Sequence, residues 1–127
     1  MLPYLNSLEA EIYLTQEDLA LAEIRYREAL KEQPLLYSAL LGMSHILLKQ
    51  KKLCLSLKYA HRAARLSPDE ADSYKILGEL YELKGSKICL RYYQKFYDLS
   101  FMDPEKKAQA KEIQAKLVKL KKNKKIL

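Results

Sequence analysis

Two stretches of the chain decide its fold. Residues 19–34 read LALAEIRYREALKEQP and residues 53–68 read LCLSLKYAHRAARLSP, so the second begins 34 positions after the first. Small or apolar side chains recur in both at intervals of three, four, three and one, which is the spacing of one face of an α-helix. Each stretch ends in a proline, which stops a helix at or before the preceding residue. The chain therefore contains an amphipathic helix that repeats with a period of 34 residues.

A second helical segment precedes each of these stretches, and one more pair follows them along the chain. The three preceding segments are predicted as helices at about residues 3–16, 37–50 and 71–84. The connections inside each pair are short and polar, which makes the paired helices antiparallel neighbours. With prolines as boundary marks, the predicted repeats run over residues 3–36, 37–70 and 71–104.

The three pairs share side chains at equivalent positions. The first pair shows them best in its second helix, at Asp18, Leu19, Ala22, Tyr26, Ala29, Leu30 and Pro34. The third pair shows them best in its first helix, at Tyr74, Leu77, Gly78, Leu80, Tyr81 and then Gly85. The middle pair carries Leu40, Met43, Ser44, Leu47, Ser56, Ala60, Ala63 and Pro68. On these residues the chain resembles the tetratricopeptide repeat (TPR) family, with departures at Glu9 and near residues 85–88.

The resemblance implies an all-α fold, in which three TPR-like helical hairpins stack as a right-handed superhelical solenoid. No hairpin of such a solenoid buries its apolar faces alone, so each depends on its neighbours. In this family the first helices line a concave groove that binds a partner protein. The resemblance places the groove residues at Tyr4, Ser7, Glu11, Leu14, Ser38, Leu41, His45, Leu48, Lys49, Asp72, Lys75, Glu79 and Glu82, with Thr15 and Leu83 beside them.

The middle of this groove is apolar, and two interpretations of it stay open. Leu41 and Leu48 either receive an apolar side chain of a bound peptide or helix, or are buried because the middle first helix is enclosed on all sides. One TPR subtype grips the terminal carboxylate of a chaperone with lysine, asparagine and arginine side chains at five groove positions. Here those positions hold Ser7, Glu11, Gly42, Asp72 and Ile76. None is a cation and two are acids, which repel a carboxylate, so this mode of binding is not expected.

The net charge of +7 is concentrated at the C-terminal end of the chain. Residues 1–103 carry 14 basic and 14 acidic side chains, whereas residues 104–127 carry nine lysines and two glutamates. A narrow apolar stripe at Ala110, Ile113, Leu117 and Leu120 predicts a capping helix over residues 104–122, with Asp103 as its N-cap. Residues 121–127 are predicted as a basic tail that frays.

The lysines of this region allow three interpretations. They are Lys116, Lys119, Lys121, Lys122, Lys124 and Lys125. They either keep the capping helix soluble, attract an acidic protein or an anionic lipid surface, or bind nucleic acid. Nucleic acid is the least favoured, because no aromatic stacking residue and no base-reading motif accompanies them.

The sequence shows no combination of residues typical of a catalytic, phosphate-binding or metal-binding site. It lacks a nucleophile–base pattern, a glycine-rich phosphate loop and metal-ligand spacings, so we expect no enzyme, no cofactor and no metal. His45 and His61 are explained as helix-surface or core residues. Cys54 and Cys89 lack a CxxC spacing and are expected to be reduced thiols. No secretory signal opens the sequence and no stretch is apolar enough to span a bilayer, so a cytoplasmic location is expected.

Aromatic residues cluster on the second helix of the third pair, in two rows: Tyr92 with Phe96, and Tyr93 with Tyr97. One row belongs to the repeat core, and the other packs the capping helix or forms an association surface. Self-association through this row or through an uncovered repeat end stays open. The sequence as a whole predicts a non-enzymatic adaptor or chaperone-like module that binds a peptide or helix of a partner protein. The alternative is an electrostatic binder that acts through the lysine tail.

Overall fold

The computed structural model describes residues 3–122, in which every regular element is an α-helix and no strand occurs. The all-α prediction is therefore confirmed. The seven helices described are α1 (Pro3–Thr15), α2 (Leu19–Glu32), α3 (Tyr37–Lys49), α4 (Leu53–Leu66), α5 (Asp72–Leu83), α6 (Ile88–Ser100) and α7 (Lys107–Lys122). The chain divides into two compact units between Ser67 and Pro68. In the first unit α1 packs on α2, α2 on α3 and α3 on α4; in the second, α6 packs on both α5 and α7.

The turns inside the three hairpins repeat with the same period as the helices. The residues with positive φ in these turns are Glu17, Lys51 and Gly85, each 34 positions from the next. In every case the next residue donates its backbone N–H to a carbonyl five positions earlier, for example Lys52 to Leu47 at 2.9 Å. This is the bonding of a Schellman motif, which ends a helix with one left-handed residue. The 34-residue repeat is therefore present in the backbone conformation of the turns as well as in the side chains.

The core of the first unit is built around one tyrosine ring and a glycine. Tyr26 of α2 is 1% exposed, and its ring covers Gly42 of α3 so closely that a Cβ on Gly42 would collide with it. The absence of a side chain at Gly42 therefore lets the second hairpin pack onto the first. Within the second hairpin, the hydroxyl of Ser56 donates to the carbonyl of Ser44 at 2.6 Å, which joins α4 closely to α3.

The second unit uses a similar contact inside a single hairpin. The ring of Tyr93 on α6 lies over Gly78 of α5, where a Cβ would come within 2.6 Å of the ring. The Tyr93 hydroxyl donates to Glu82 at 2.6 Å, so the buried ring keeps a partner for its polar end. The pKa of Tyr93 is raised by burial and by this hydrogen bond.

The capping helix α7 begins later than the sequence predicts. Its predicted apolar stripe of Ala110, Ile113, Leu117 and Leu120 is buried. The carboxylate of Asp103 accepts the backbone N–H of Glu105 at 2.9 Å, and the Asp103 carbonyl accepts the N–H of Lys106 at 3.0 Å. Asp103 therefore caps a tight turn of its own, and the helix begins after it at Lys107.

Candidate functional site

On α3, the predicted groove residues form a row separate from the buried face. Leu41, His45 and Leu48 recur at intervals of four and three and are half-buried, while Lys49 is exposed. The buried face of the same helix contains Ala39, Leu40, Met43, Ile46 and Leu47. Leu41 and Leu48 therefore lie at the edge of the core, where each keeps part of its surface open to solvent.

On α1, the predicted groove residues divide into accessible and enclosed ones. Tyr4 and Glu11 are exposed and Leu14 is half-buried, whereas Ser7 is 1% exposed. The hydroxyl of Ser7 lies 2.7 Å from that of Ser38, so the two serines share a hydrogen bond that joins α1 to α3. Ser7 is structural in this arrangement and its side chain is not presented to solvent.

On α5, the predicted groove residues are linked to the C-terminal end of the same chain. Lys106, just before α7, forms an ion pair with Asp72 at 3.3 Å, and Lys116 forms one with Glu82 at 2.7 Å. Lys75 donates to Gln109 at 3.4 Å. These pairs each join residues 34 positions apart, so α7 stands to α5 as the first helix of a further repeat would. The row Asp72, Lys75, Glu79 and Glu82 therefore faces α7.

A pocket opens between α5 and α7 beside this row. It has a volume of about 620 Å³ and is lined by Glu82, Ala115, Lys116, Lys119, Leu120 and Lys122. A second opening of about 450 Å³ shares Glu82 and Lys116 and adds Glu79 and Leu83. The walls thus combine apolar surface with lysine side chains. Such a pocket is suited to an apolar group that carries a negative charge nearby.

One acid of this region is held in an unfavourable environment. Burial raises the pKa of Glu79 above its ordinary value, and the charges of Lys75 and Lys116 oppose this rise while Glu82 adds to it. The neighbouring carboxylate of Glu82 accepts a hydrogen bond from the Tyr93 hydroxyl and forms an ion pair with Lys116. The ammonium group of Lys116 also lies 5.2 Å from the centre of the Tyr93 ring, a cation–π distance.

The predicted basic tail is only partly within the described residues. Lys116 is paired with Glu82, while Lys119, Lys121 and Lys122 are exposed on α7. Lys124 and Lys125 lie outside the described residues. Among residues 3–122, no group of histidine, cysteine and acidic side chains is placed to hold a metal ion, and no helix has the length and apolar content that crossing a bilayer requires. Cys54 and Cys89 are both free thiols, the first exposed and the second buried.

Comparison with solved structures gives the fold. The TPR2B domain of yeast Sti1, in a complex with pHsp70, superimposes with a TM-score of 0.79 at 14% identity, over 93% of this chain and 97% of that one. The first TPR domain of Spaghetti (RPAP3), bound to an HSP90 peptide, gives a TM-score of 0.74 at 14% identity, over 91% of this chain and 93% of that one. The chain has the TPR fold. No protein-family model and no curated protein matches its sequence.

Three features of this TPR chain were missed by sequence reasoning. The first is the role of Gly42, because the family pattern directs attention to the small residue two positions later, Ser44. The second is the pairing of the α5 row with α7, for which a signal exists: Asp72 and Glu82 are ten residues apart, as are Lys106 and Lys116. The third is the pocket, whose lysine wall comes from side chains that the sequence pattern places on a capping helix and not beside α5.

Proposed function

We propose that this chain is a non-enzymatic interaction module, an adaptor or chaperone-like cytoplasmic protein that binds a peptide or helix of a partner protein along its first helices. The observation that carries the proposal is the row of Leu41, His45 and Leu48 on α3, which is apolar at both ends and only half-buried. Proteins with the same fold are bound to chaperone peptides in the two solved structures, which supports a protein ligand.

The chemistry of the groove positions narrows the ligand. The five positions at which a carboxylate-gripping subtype places cations and amides hold none here, so the partner is engaged by apolar side chains rather than by its terminal carboxylate. Burying one such side chain contributes ~1.5–3 kcal/mol. Two or three of them contribute ~3–9 kcal/mol before the ordering of the ligand is subtracted, so micromolar affinity requires further contacts along the first helices.

The experiment uses peptides selected from a random library on the full chain, with affinities measured by titration calorimetry. We expect Leu41→Glu/Leu48→Glu to lower the affinity at least a hundredfold, because two charges replace two apolar contacts. The matched control is Leu55→Glu/Leu66→Glu, which changes two exposed leucines of α4 and should bind normally. A milder variant, Leu41→Ala/Leu48→Ala, should lose affinity without introducing charge. Unchanged affinity in both α3 variants, with helicity intact by circular dichroism, would refute groove binding.

A second candidate function rests on the charge of α7. Six lysines and one glutamate lie between Lys107 and Lys122, and three of the lysines named as the basic tail are exposed there. An acidic protein would bind this surface with an affinity that falls steeply as salt is raised. Binding of a model polyanion such as polyglutamate, abolished by Lys119→Ala/Lys121→Ala/Lys122→Ala but not by the α3 variants, would establish this function; salt-insensitive binding would exclude it.

A further inference from the structure

One face of α1 is exposed, whereas the equivalent face of α3 is buried. Its exposed apolar residues are Leu5, Leu8 and Ile12, the last 56% exposed. The residues 34 positions later on α3 are Ala39, Gly42 and Ile46, all of them buried. On α3 this face packs against the preceding hairpin, where Gly42 lies under the ring of Tyr26. The equivalent face of α1 has the composition of a packing surface and no packing partner among residues 3–122.

The uncovered surface continues onto α2. Arg25 of α2 forms an ion pair with Glu9 of α1 at 3.2 Å, which brings the two outer rows together. One turn from each of these residues lies an exposed apolar side chain: Ile12 after Glu9, and Leu21 before Arg25. The first-hairpin face is defined here as Leu5, Leu8, Ile12, Leu21 and Ile24. Exposed apolar side chains grouped on neighbouring helices in this way indicate an interaction site.

The other end of the described chain carries a surface of opposite charge. Opposite its buried stripe, α7 presents two small residues, a half-exposed valine and lysines, and this α7 outer face is defined as Ala108, Lys111, Ala115, Val118 and Lys122. Val118 is 52% exposed. The alanines leave room for a helix to approach, while the lysine stems add apolar surface beneath their charges.

Charge decides which of these faces meet. The first hairpin, residues 3–32, carries seven acidic and three basic residues, a net charge of −4. The helix α7 carries six lysines and one glutamate, a net charge of +5. Two first-hairpin faces brought together repel each other, and so do two α7 outer faces, whereas one of each attracts the other. A symmetric contact is therefore disfavoured and a head-to-tail contact is favoured.

We propose that the first-hairpin face of one copy of this chain docks on the α7 outer face of a second copy. Because the two surfaces differ, a bound pair keeps one free face of each kind, and the contact propagates as an open chain unless it closes into a ring. The contact uses none of the α3 row, although Ala115 and Lys122 of the α7 outer face also line the pocket beside α5. Leu41→Glu/Leu48→Glu is expected to self-associate normally, which separates the two proposals.

Sedimentation velocity of the full chain over a concentration series tests the proposal. The weight-average mass should rise with concentration and should fall at a fixed concentration when NaCl is raised from ~50 to ~500 mM, because part of the attraction is screened. Ile12→Lys should hold the protein at the mass of one chain, since it places a cation against the lysines of α7. Its matched control is Ile88→Lys on α6, an exposed isoleucine outside both faces, which should associate like the natural chain.

Mixing two variants distinguishes a head-to-tail contact from a symmetric one. Ile12→Lys keeps a normal α7 outer face, and Lys111→Glu/Lys122→Glu keeps a normal first-hairpin face; each should be monomeric alone. Their equimolar mixture should associate, because one unaltered face of each kind remains. A natural chain that stays monomeric at its highest soluble concentration overturns the proposal. So does a Lys111→Glu/Lys122→Glu variant that still dimerises alone, or a mixture that remains monomeric.

Discussion

The helices α3 and α5 hold equivalent places in successive repeats, yet their groove rows have opposite character. The row on α3 is Ser38, Leu41, His45 and Leu48, and the row 34 residues later on α5 is Asp72, Lys75, Glu79 and Glu82. The α3 row carries no charged residue and keeps part of its surface open, whereas the α5 row is charged and bound to the chain's own C-terminal end. The same helix position is thus left partly open in one repeat and attaches α7 in another.

This difference follows from what each row has to contact. An apolar row beside solvent is stabilised only when another apolar surface covers it, so α3 gains from a ligand. A charged row is stabilised by opposite charges held close, and the lysines 34 positions later supply them to α5. We infer that ligand preference resides mainly on α3.

The largest effect on stability is expected at the glycines under the two tyrosine rings. Gly42→Ala on α3 should lower the free energy of unfolding by about 1–3 kcal/mol, because the added carbon collides with the enclosed ring of Tyr26 and outweighs the gain in helix propensity. Gly78→Ala on α5 should cost less, since its new carbon would lie farther from the Tyr93 ring. Thermal unfolding followed by circular dichroism measures both.

A second substitution checks the cause. If the collision is responsible, Tyr26→Leu should cost less in the Gly42→Ala background than in the natural chain, because the smaller side chain clears the space. Additive effects of the two changes, or a Gly42→Ala variant more stable than the natural chain, would contradict the packing described for the first unit.

Substitutions in the turns that follow α3 and α5 should change the stability of the chain in opposite directions. Lys51 holds a left-handed conformation with φ of 64°, which is strained for a residue with a side chain, whereas Gly85 adopts φ of 72° without strain. Lys51→Gly should therefore stabilise the chain and Gly85→Ala should destabilise it, each by about 1 kcal/mol. Urea unfolding midpoints test this, and Glu17→Gly provides a third turn in the same register. A loss of stability in both Gly variants would show that the turns are not strained as described.

The ion pair that joins α5 to α7 should have a smaller effect. Lys116→Ala removes the bond to Glu82 and the cation over Tyr93 and should cost about 0.5–1 kcal/mol, since both groups remain partly exposed. Lys119→Ala is the matched control on the same helix. The difference between the two variants should shrink in high salt, and equal unfolding midpoints at low salt would mean that this pair does not hold α7.

The smallest effect is expected from Glu79, and it depends on pH. Because burial raises its pKa in the folded state, the fold binds this proton more tightly than the unfolded chain does, and stability falls as pH rises above the ordinary value of 4.5. Glu79→Gln should therefore unfold at a slightly higher temperature than the natural chain at neutral pH and at the same temperature below the ordinary pKa. A variant that is less stable at neutral pH would reverse the assigned direction.

The sequence was sufficient for the helices and their period, because helix faces and helix-ending prolines are local properties. It was not sufficient for the contacts that depend on three-dimensional register. The residues around Gly42 do not indicate that the ring of Tyr26, from another helix, packs against it. Asp103 has the sequence of a helix cap, but its carboxylate closes a separate turn. The groove residues of α5 are predicted as ligand contacts from the family resemblance alone. The ion pairs of Asp72 and Glu82 with Lys106 and Lys116 depend on how α7 packs, which no local pattern gives.

The most direct test of ligand binding along α3 is a map of backbone amide shifts in ¹⁵N-labelled full chain on addition of a library-selected peptide. The account predicts that the largest shifts lie at Leu41, His45, Leu48 and their neighbours on α3. Shifts confined to α4 and to the exposed side of α6, with α3 unmoved at saturation, would contradict it.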